Sequence, residues 1–179
     1  MRGEEFLRYI YDEITYQIAK AVANDLLDKI VACATTATTT QVRVGVVESS
    51  TISVGLIAEA LGKLSDEAAN PIVVMNKATW SAFKAAQYAA QYPIDPFEGL
   101  PVAFSNHLTA FDAATTGVPY AIVGDFGHGA LANFPNGQEI TFKFDDKTDM
   151  TKDLIRILGR EYVAVEPVAC DAFVQIVGA

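Results

Sequence analysis

The first thirty residues contain the feature that most limits how this chain can fold. Between Glu4 and Ile30 there is no proline and no glycine, and an apolar side chain recurs at every fourth position. Four residues turn an α-helix by roughly 400°, so this apolar stripe winds around the helix by roughly 40° per step. The segment therefore predicts one helix about 40 Å long whose stripe needs partners on more than one side. The stripe consists of Phe6, Ile10, Ile14, Ile18, Val22, Leu26 and Ile30.

The middle of the chain, residues 41–134, alternates strand and helix patterns. Short apolar runs at residues 42–47, 72–75 and 121–126 have the composition of buried strands. A helix is predicted over residues 53–64, with Ser50 or Thr51 as its N-cap, and another carries Trp80, Phe83 and Tyr88. A threonine-rich stretch, residues 34–40, separates this α/β layer from the long helix and predicts a domain boundary.

Beyond a turn at residues 133–137 the pattern changes again. Residues 140–144 alternate apolar and polar side chains and predict a strand. Residues 154–165 fit a helical face as well as a strand, and periodicity alone does not decide between the two.

The composition excludes several classes of protein. With 51% hydrophobic and 20% charged residues the chain is globular, and its net charge of −9 argues against a general nucleic-acid surface. No apolar stretch approaches the ~20 residues of a membrane span, and the N-terminus lacks a signal-peptide pattern. Cys33 and Cys170 have no metal-type spacing, so we expect two reduced, buried thiols in a cytoplasmic protein.

The only candidates for acid–base chemistry at neutral pH are His107 and His128, and both lie in predicted loops. Ser105, His107 and Asp125 could form a hydrolytic triad, and the two histidines with Asp112 and Asp125 a metal site. Neither set has diagnostic spacing. We therefore expect no catalytic, cofactor-binding or metal-binding residue.

Four motifs follow one another in a defined order between residues 71 and 126. An apolar strand ends at Asn76, a helix carrying Trp80 follows, and then come the segment Gly-Leu-Pro-Val at residues 99–102 and a strand ending in Gly-Asp-Phe at residues 124–126. This order resembles the axial domain of tailed-bacteriophage major capsid proteins. Each motif is weak alone; the order and spacing carry the resemblance, which continues to the C-terminus.

The resemblance implies an α+β, phage major-capsid-like fold with a long spine helix, an α/β axial domain and a peripheral domain of long antiparallel strands. The corresponding division is residues 1–33 for the spine helix of the peripheral domain, 34–137 for the axial domain and 138–179 for the C-terminal strands of the peripheral domain. It also implies that residues 154–165 form a strand, turned at Pro167 into a last strand at residues 172–177. By the same resemblance the chain lacks the N-terminal arm and extended loop of that family.

The implied function is that of a structural subunit of a phage or prophage icosahedral head, and no enzyme. Such a protein self-assembles into pentamers and hexamers, with portal and scaffold proteins as further partners. No membrane, specific nucleic-acid or cofactor binding is expected. Its implied location is the virion, after assembly in the bacterial host cytoplasm. Loop residues 93–97 and 106–116 are candidates for contacts within the rings.

Two alternatives stay open: an encapsulin-like compartment shell, which has the same fold, and a small α/β enzyme that uses His107 or His128. Some capsid proteins of the family also cross-link subunits through a Lys–Asn isopeptide bond. The acceptor position holds Asp153, and near the position of the assisting Glu lies Arg160, with Glu161 adjacent. An aspartate has no amide nitrogen to expel, so no cross-linking is expected.

Overall fold

The computed structural model describes residues 3–33, 35, 42–91, 93, 95–135, 137, 140–145 and 156–179. Within these ranges helices and strands alternate, and no helix is long and apolar enough to cross a membrane. The helices are α1 (Gly3–Val31), α2 (Leu56–Leu61), α3 (Lys77–Ala89) and α4 (Phe126–Gly129), with a 3₁₀ turn at Phe111–Ala113. The strands are β1 (Gly45–Glu48), β2 (Ile72–Met75), β3 (Val102–Phe104), β4 (Pro119–Gly124), β5 (Ala130–Asn133), β6 (Thr141–Asp145), β7 (Arg156–Arg160), β8 (Ala164–Pro167) and β9 (Phe173–Val177).

The chain divides into two compact units. We call the first the hairpin unit, which comprises Met1–Leu26 and Ala132–Val165. The second, the sheet unit, comprises Leu27–Leu131 and Glu166–Ala179. Each unit is therefore assembled from two separate stretches of the sequence.

The sheet unit is built on five strands in the order β1-β9-β4-β2-β3. Strand β9 pairs parallel with β1 and antiparallel with β4, β2 pairs antiparallel with β4, and β3 pairs parallel with β2. Every residue of β9 is buried, as expected for a central strand covered on both faces. One face carries the main core, in which Met75, Phe83, Tyr120 and Ile176 are fully buried beside residues of α2.

The other face of this sheet meets the last turn of α1. Gln175, at the centre of β9, donates hydrogen bonds from its amide nitrogen to the carbonyl oxygens of Ile30 (2.9 Å) and Val31 (3.3 Å). These carbonyls are at the helix C-terminus, where the i+4 donors of the helix run out; that of Ile30 also accepts the backbone N–H of Cys33 at 3.2 Å. The buried Gln175 side chain therefore caps the C-terminus of α1 and links it to the sheet.

The hairpin unit packs α1 against the antiparallel pair β6 and β7. The register places Phe142 opposite Gly159, and the ring of Tyr11 meets that of Phe142 edge-on at 4.7 Å between centroids. A Cβ atom added at Gly159 would lie 2.3 Å from Cγ2 of Ile14. The absence of a side chain at Gly159 therefore permits the close approach of helix and strand.

Several predicted elements are confirmed. The long helix is present, and its stripe is half-buried from Ile10 to Leu26 and fully buried at Ile30, whereas Phe6 is exposed. The strand at residues 72–75 and the helix with Trp80 are present. The described part of the ambiguous segment contains no helix; it forms strand β7 and the start of β8, with residues 161–163 between them. The threonine-rich stretch lies outside the described residues except for Thr35, so the domain boundary placed there stays a prediction.

Other expectations were wrong in detail. Helix α2 is shorter than predicted, and its N-cap is Gly55 rather than Ser50 or Thr51. Ser49 forms a local turn instead, because its hydroxyl accepts from the backbone N–H of Thr51 and donates to the carbonyl of the same residue. Cys33 is half-buried and Cys170 is exposed, since Cys170 lies in the turn between β8 and β9.

The largest correction concerns the last strand. It was expected to lie with the C-terminal strands of the peripheral domain, yet β9 lies between β1 and β4 in the sheet unit. Its sequence, Phe-Val-Gln-Ile-Val, does not alternate between apolar and polar residues. This composition suits a strand at the centre of a sheet better than a strand of an exposed hairpin.

Candidate functional site

The imidazole of His107 is engaged with the long helix. Its Nε2 lies 2.7 Å from Oδ1 of Asp28 on α1. The hydroxyl of Ser105 accepts a hydrogen bond from the backbone N–H of His107 at 3.1 Å and so stabilises the loop. The structure does not form the triad that Ser105, His107 and Asp125 could have made, because His107 is paired with Asp28 and the carboxylate of Asp125 accepts backbone N–H groups.

Asp125 is a buried cap at the end of β4, with 4% of its surface exposed. One carboxylate oxygen accepts the backbone N–H groups of Gly127 (3.0 Å) and His128 (3.2 Å), and the other accepts that of Asn70 (3.1 Å). The hydrogen bond from Asn70, with those from His128 and Gly127, lowers the pKa of this carboxyl below its ordinary value against the opposing effect of burial. Asp125 therefore stays ionised and holds the start of α4.

His128 lies in the short helix α4, not in a loop as predicted. Its Nε2 is 3.9 Å from a carboxylate oxygen of Glu67, and both side chains are exposed beside an open groove of about 550 Å³. Asp112 takes part in neither of the two pairs, His107 with Asp28 and His128 with Glu67. Over the described ranges no group of three or more His, Cys, Asp and Glu side chains is placed to hold a metal ion.

The first loop expected to make ring contacts, residues 93–97, is divided between surface and core. Pro93 is exposed, but Phe97 is buried and its ring lies 5.5 Å from that of Phe83. Lys84 on α3 forms an ion pair with Asp95 and lies over the ring of Phe97. The loop is thus fastened to α3, and only its first part is available to a neighbour.

The second loop, residues 106–116, is anchored in the same way at two points. Leu108 is buried, and the backbone N–H of Phe111 donates to the hydroxyl of Thr79 at 3.0 Å. Asn106, Asp112 and the residues around Thr115 stay exposed. These positions remain candidates for contacts between copies.

Large apolar side chains are exposed on both units. Such side chains are ordinary when scattered, but several on one face mark an interaction surface. In the sheet unit they are Val31, Tyr88, Phe104, Leu131 and Val168, and in the hairpin unit Phe6, Leu7, Tyr9, Tyr16, Phe144, Leu158 and Tyr162. In the hairpin unit these exposed side chains lie along α1 and along the β6–β7 hairpin. From the sequence, only the length of the helix had indicated that this part of the chain needs partners.

The cross-linking positions are only partly described. Asp153, at the acceptor position, lies outside the described residues. Arg160 is exposed at the end of β7, and Glu161 follows it directly. The expectation that no cross-link forms stays a prediction.

Comparison with known proteins agrees with this architecture. The model of the phage capsid family matches residues 3–178. The capsid of an empty GTA particle, computed with C5 symmetry, superposes with a TM-score of 0.71 at 17% identity, covering 96% of this chain and 66% of that one. The Mycobacterium phage Che8 structure gives a TM-score of 0.58 at 18% identity over 90% of this chain and 59% of that one.

An encapsulin shell is also similar. The holo-SrpI encapsulin complex from Synechococcus elongatus PCC 7942 gives a TM-score of 0.52 at 16% identity, covering 74% of this chain and 51% of that one. The chain spans about two thirds of the length of the GTA capsid protein and less of the other two. No curated protein sequence matches it significantly. The family model covers nearly the whole chain, and the fold is shared with capsid shells: this chain belongs to the phage capsid family.

Proposed function

We propose that this protein is the major capsid protein of a tailed phage or prophage, a structural subunit that acts by assembling with its own copies into pentamers and hexamers. The observation that carries the proposal is the match of the phage capsid family along residues 3–178. The likeness in fold to a capsid shell protein, at a TM-score of 0.71, supports it.

The roles of the polar side chains support the same reading. Two of the side chains considered for catalysis hold elements of the fold together: His107 faces Asp28 on α1, and Asp125 caps α4. By contrast, α1 presents aromatic and charged side chains to solvent along much of its length. The exposed side chains of α1 are therefore available for contacts with other copies, and such contacts are what a shell subunit requires.

The proposed partners are other copies of the chain in capsomer rings, and portal and scaffold proteins in the complete head. The proposed location is the virion, after assembly in the host cytoplasm. We further propose that the protein is not an enzyme. The similarity to an encapsulin supports one second candidate, a compartment shell, and cargo bound inside purified particles would distinguish it from a phage head.

The test is assembly of the purified chain at increasing concentration, followed by sedimentation velocity and negative-stain electron microscopy. We expect rings or curved fragments with five- or six-fold symmetry at high concentration. The variant His128→Ala, which removes an exposed side chain, serves as a control and should assemble as the wild type does. A chain that stays monomeric at every concentration and ionic strength would contradict the proposal.

A further inference from the structure

The hairpin unit has two outer faces on opposite sides of one two-layer structure. Inside, α1 packs on β6 and β7 through Tyr11, Ile14 and Phe142. The outward side of α1 and the outward side of the two strands are therefore both directed away from this contact. Their side chains differ sharply in charge.

The outer helix face, defined as Glu5, Tyr9, Asp12 and Tyr16, is acidic and aromatic. Spacings of four, three and four residues place these side chains along one side of a helix. All four are exposed, and the tyrosines keep 57% and 60% of their surface in solvent. The buried stripe with Ile14 and Ile18 lies on the other side of the same helix.

The outer sheet face, defined as Lys143, Leu158 and Arg160, is basic around one apolar side chain. The register places Lys143 directly opposite Leu158, and Arg160 follows two residues later on the same face. All three are exposed, Leu158 by 51%. At the far end of this face Asp145 lies opposite Arg156, one charge of each sign, so the positive excess comes from Lys143 and Arg160.

We propose that the outer helix face of one copy docks on the outer sheet face of the next copy. This docking proposal rests on the proposed function and names the two surfaces through which the copies would associate. The carboxylates of Glu5 and Asp12 complement Lys143 and Arg160, and a tyrosine ring offers its face to the guanidinium and its edge to Leu158. In a chain of net charge −9 a basic face stands out, and the acidic face of a second copy is the matching partner.

The placement of the two faces determines the symmetry of the contact. Because they are different surfaces on opposite sides of the unit, the contact is head-to-tail, and each copy uses one face toward each neighbour. Such contacts propagate until the rotation closes a ring. A two-fold dimer does not arise from this geometry.

The test uses charge reversal in the full chain, measured by sedimentation velocity at one concentration at which the wild type forms rings. We expect Lys143→Glu/Arg160→Glu to weaken self-association at least tenfold, and Glu5→Lys/Asp12→Lys to do the same. The control Lys63→Glu/Lys77→Glu, within the sheet unit, makes the same change in net charge as Lys143→Glu/Arg160→Glu and should associate like the wild type. Circular dichroism verifies that each variant is folded.

Mixing gives the sharper result. In an equimolar mixture every face of one double variant is complementary in charge to a face of the other: the acidic helix face meets the native basic sheet face, and the two reversed faces also attract each other. The mixture should therefore assemble in alternating copies, although neither variant alone does. A chain carrying both reversals should regain rings. If the sheet-face variant assembles like the control, or the mixture associates no better than either variant alone, the docking proposal is overturned while the shell function stands. A wild type that never associates would overturn both.

Discussion

At the scale of single residues, Asp125 links three parts of the sheet unit through one buried carboxylate. Its oxygens accept backbone N–H groups from the start of α4 and from Asn70. Because the folded pKa is depressed, the carboxylate stabilises the fold above the unfolded pKa of about 3.9, and this contribution is lost as the pH falls through the lower folded pKa.

We therefore expect Asp125→Ala to lower the free energy of unfolding by about 2 kcal/mol at pH 7, through the lost cap and the N–H groups left without an acceptor. Urea denaturation measures this, with the exposed Asp112→Ala as a control that should change stability by less than ~0.5 kcal/mol. The difference between wild type and Asp125→Ala should narrow below pH 4. An equal difference at pH 3 and pH 7 would show that the charge contributes nothing.

The two cysteines should differ in reactivity. Burial, with the nearby negative charges of Glu166 and the Cys170 thiolate, raises the pKa of the Cys33 thiol above its ordinary value, and its Sγ lies 3.2 Å from the carbonyl oxygen of Lys29. Cys170 is exposed. We expect a maleimide at pH 7 to label Cys170 first, with Cys33 at least tenfold slower, as followed by peptide mass spectrometry. Equal rates would show that the end of α1 opens freely.

At the scale of elements, the contact between α1 and β7 depends on Gly159. A side chain there overlaps Ile14, which lies on the helix. We expect Gly159→Val to destabilise the hairpin unit by about 1–3 kcal/mol. Hydrogen exchange should show lost protection in β6 and β7 while β4 and β9 keep theirs. Gly55→Ala is the matched control, because its added Cβ meets nothing within 4 Å. Loss of protection in β9 as well would mean that the two units unfold together.

Sequence reasoning succeeded for elements with a long or strongly apolar pattern. The fourfold apolar spacing predicted α1, and the β-branched run predicted β2, because both patterns are local. The position of β9 in the sheet could not be derived in the same way, since it depends on pairing with β1 more than a hundred residues away. The start of α2 was missed because Ser49 uses its hydroxyl for a turn rather than a cap. The outer sheet face was missed because Lys143 and Arg160 come together only in the hairpin register.

At the scale of the whole molecule, two electrostatic effects oppose each other when copies associate. The net charge of −9 repels copies at long range, and the outer helix and sheet faces attract at contact distance. Salt screens the long-range repulsion first, because the Debye length falls from about 30 Å at 0.01 M to about 10 Å at 0.1 M. Only near 1 M, where it is about 3 Å, are charges in contact strongly screened.

Self-association should therefore pass through a maximum as salt increases. We expect the weight-average sedimentation coefficient at fixed concentration to rise between 0.01 M and about 0.1 M NaCl and to fall again toward about 1 M. The Lys143→Glu/Arg160→Glu variant has lost the attraction between the outer helix face and the outer sheet face, and its net negative charge is larger. Its association should therefore be weaker than that of the wild type and should increase with salt over the whole range. A wild type whose association rises steadily to 1 M would show that apolar contacts, and not the charged faces, hold the copies together. A steady fall would show that the net charge contributes no effective repulsion.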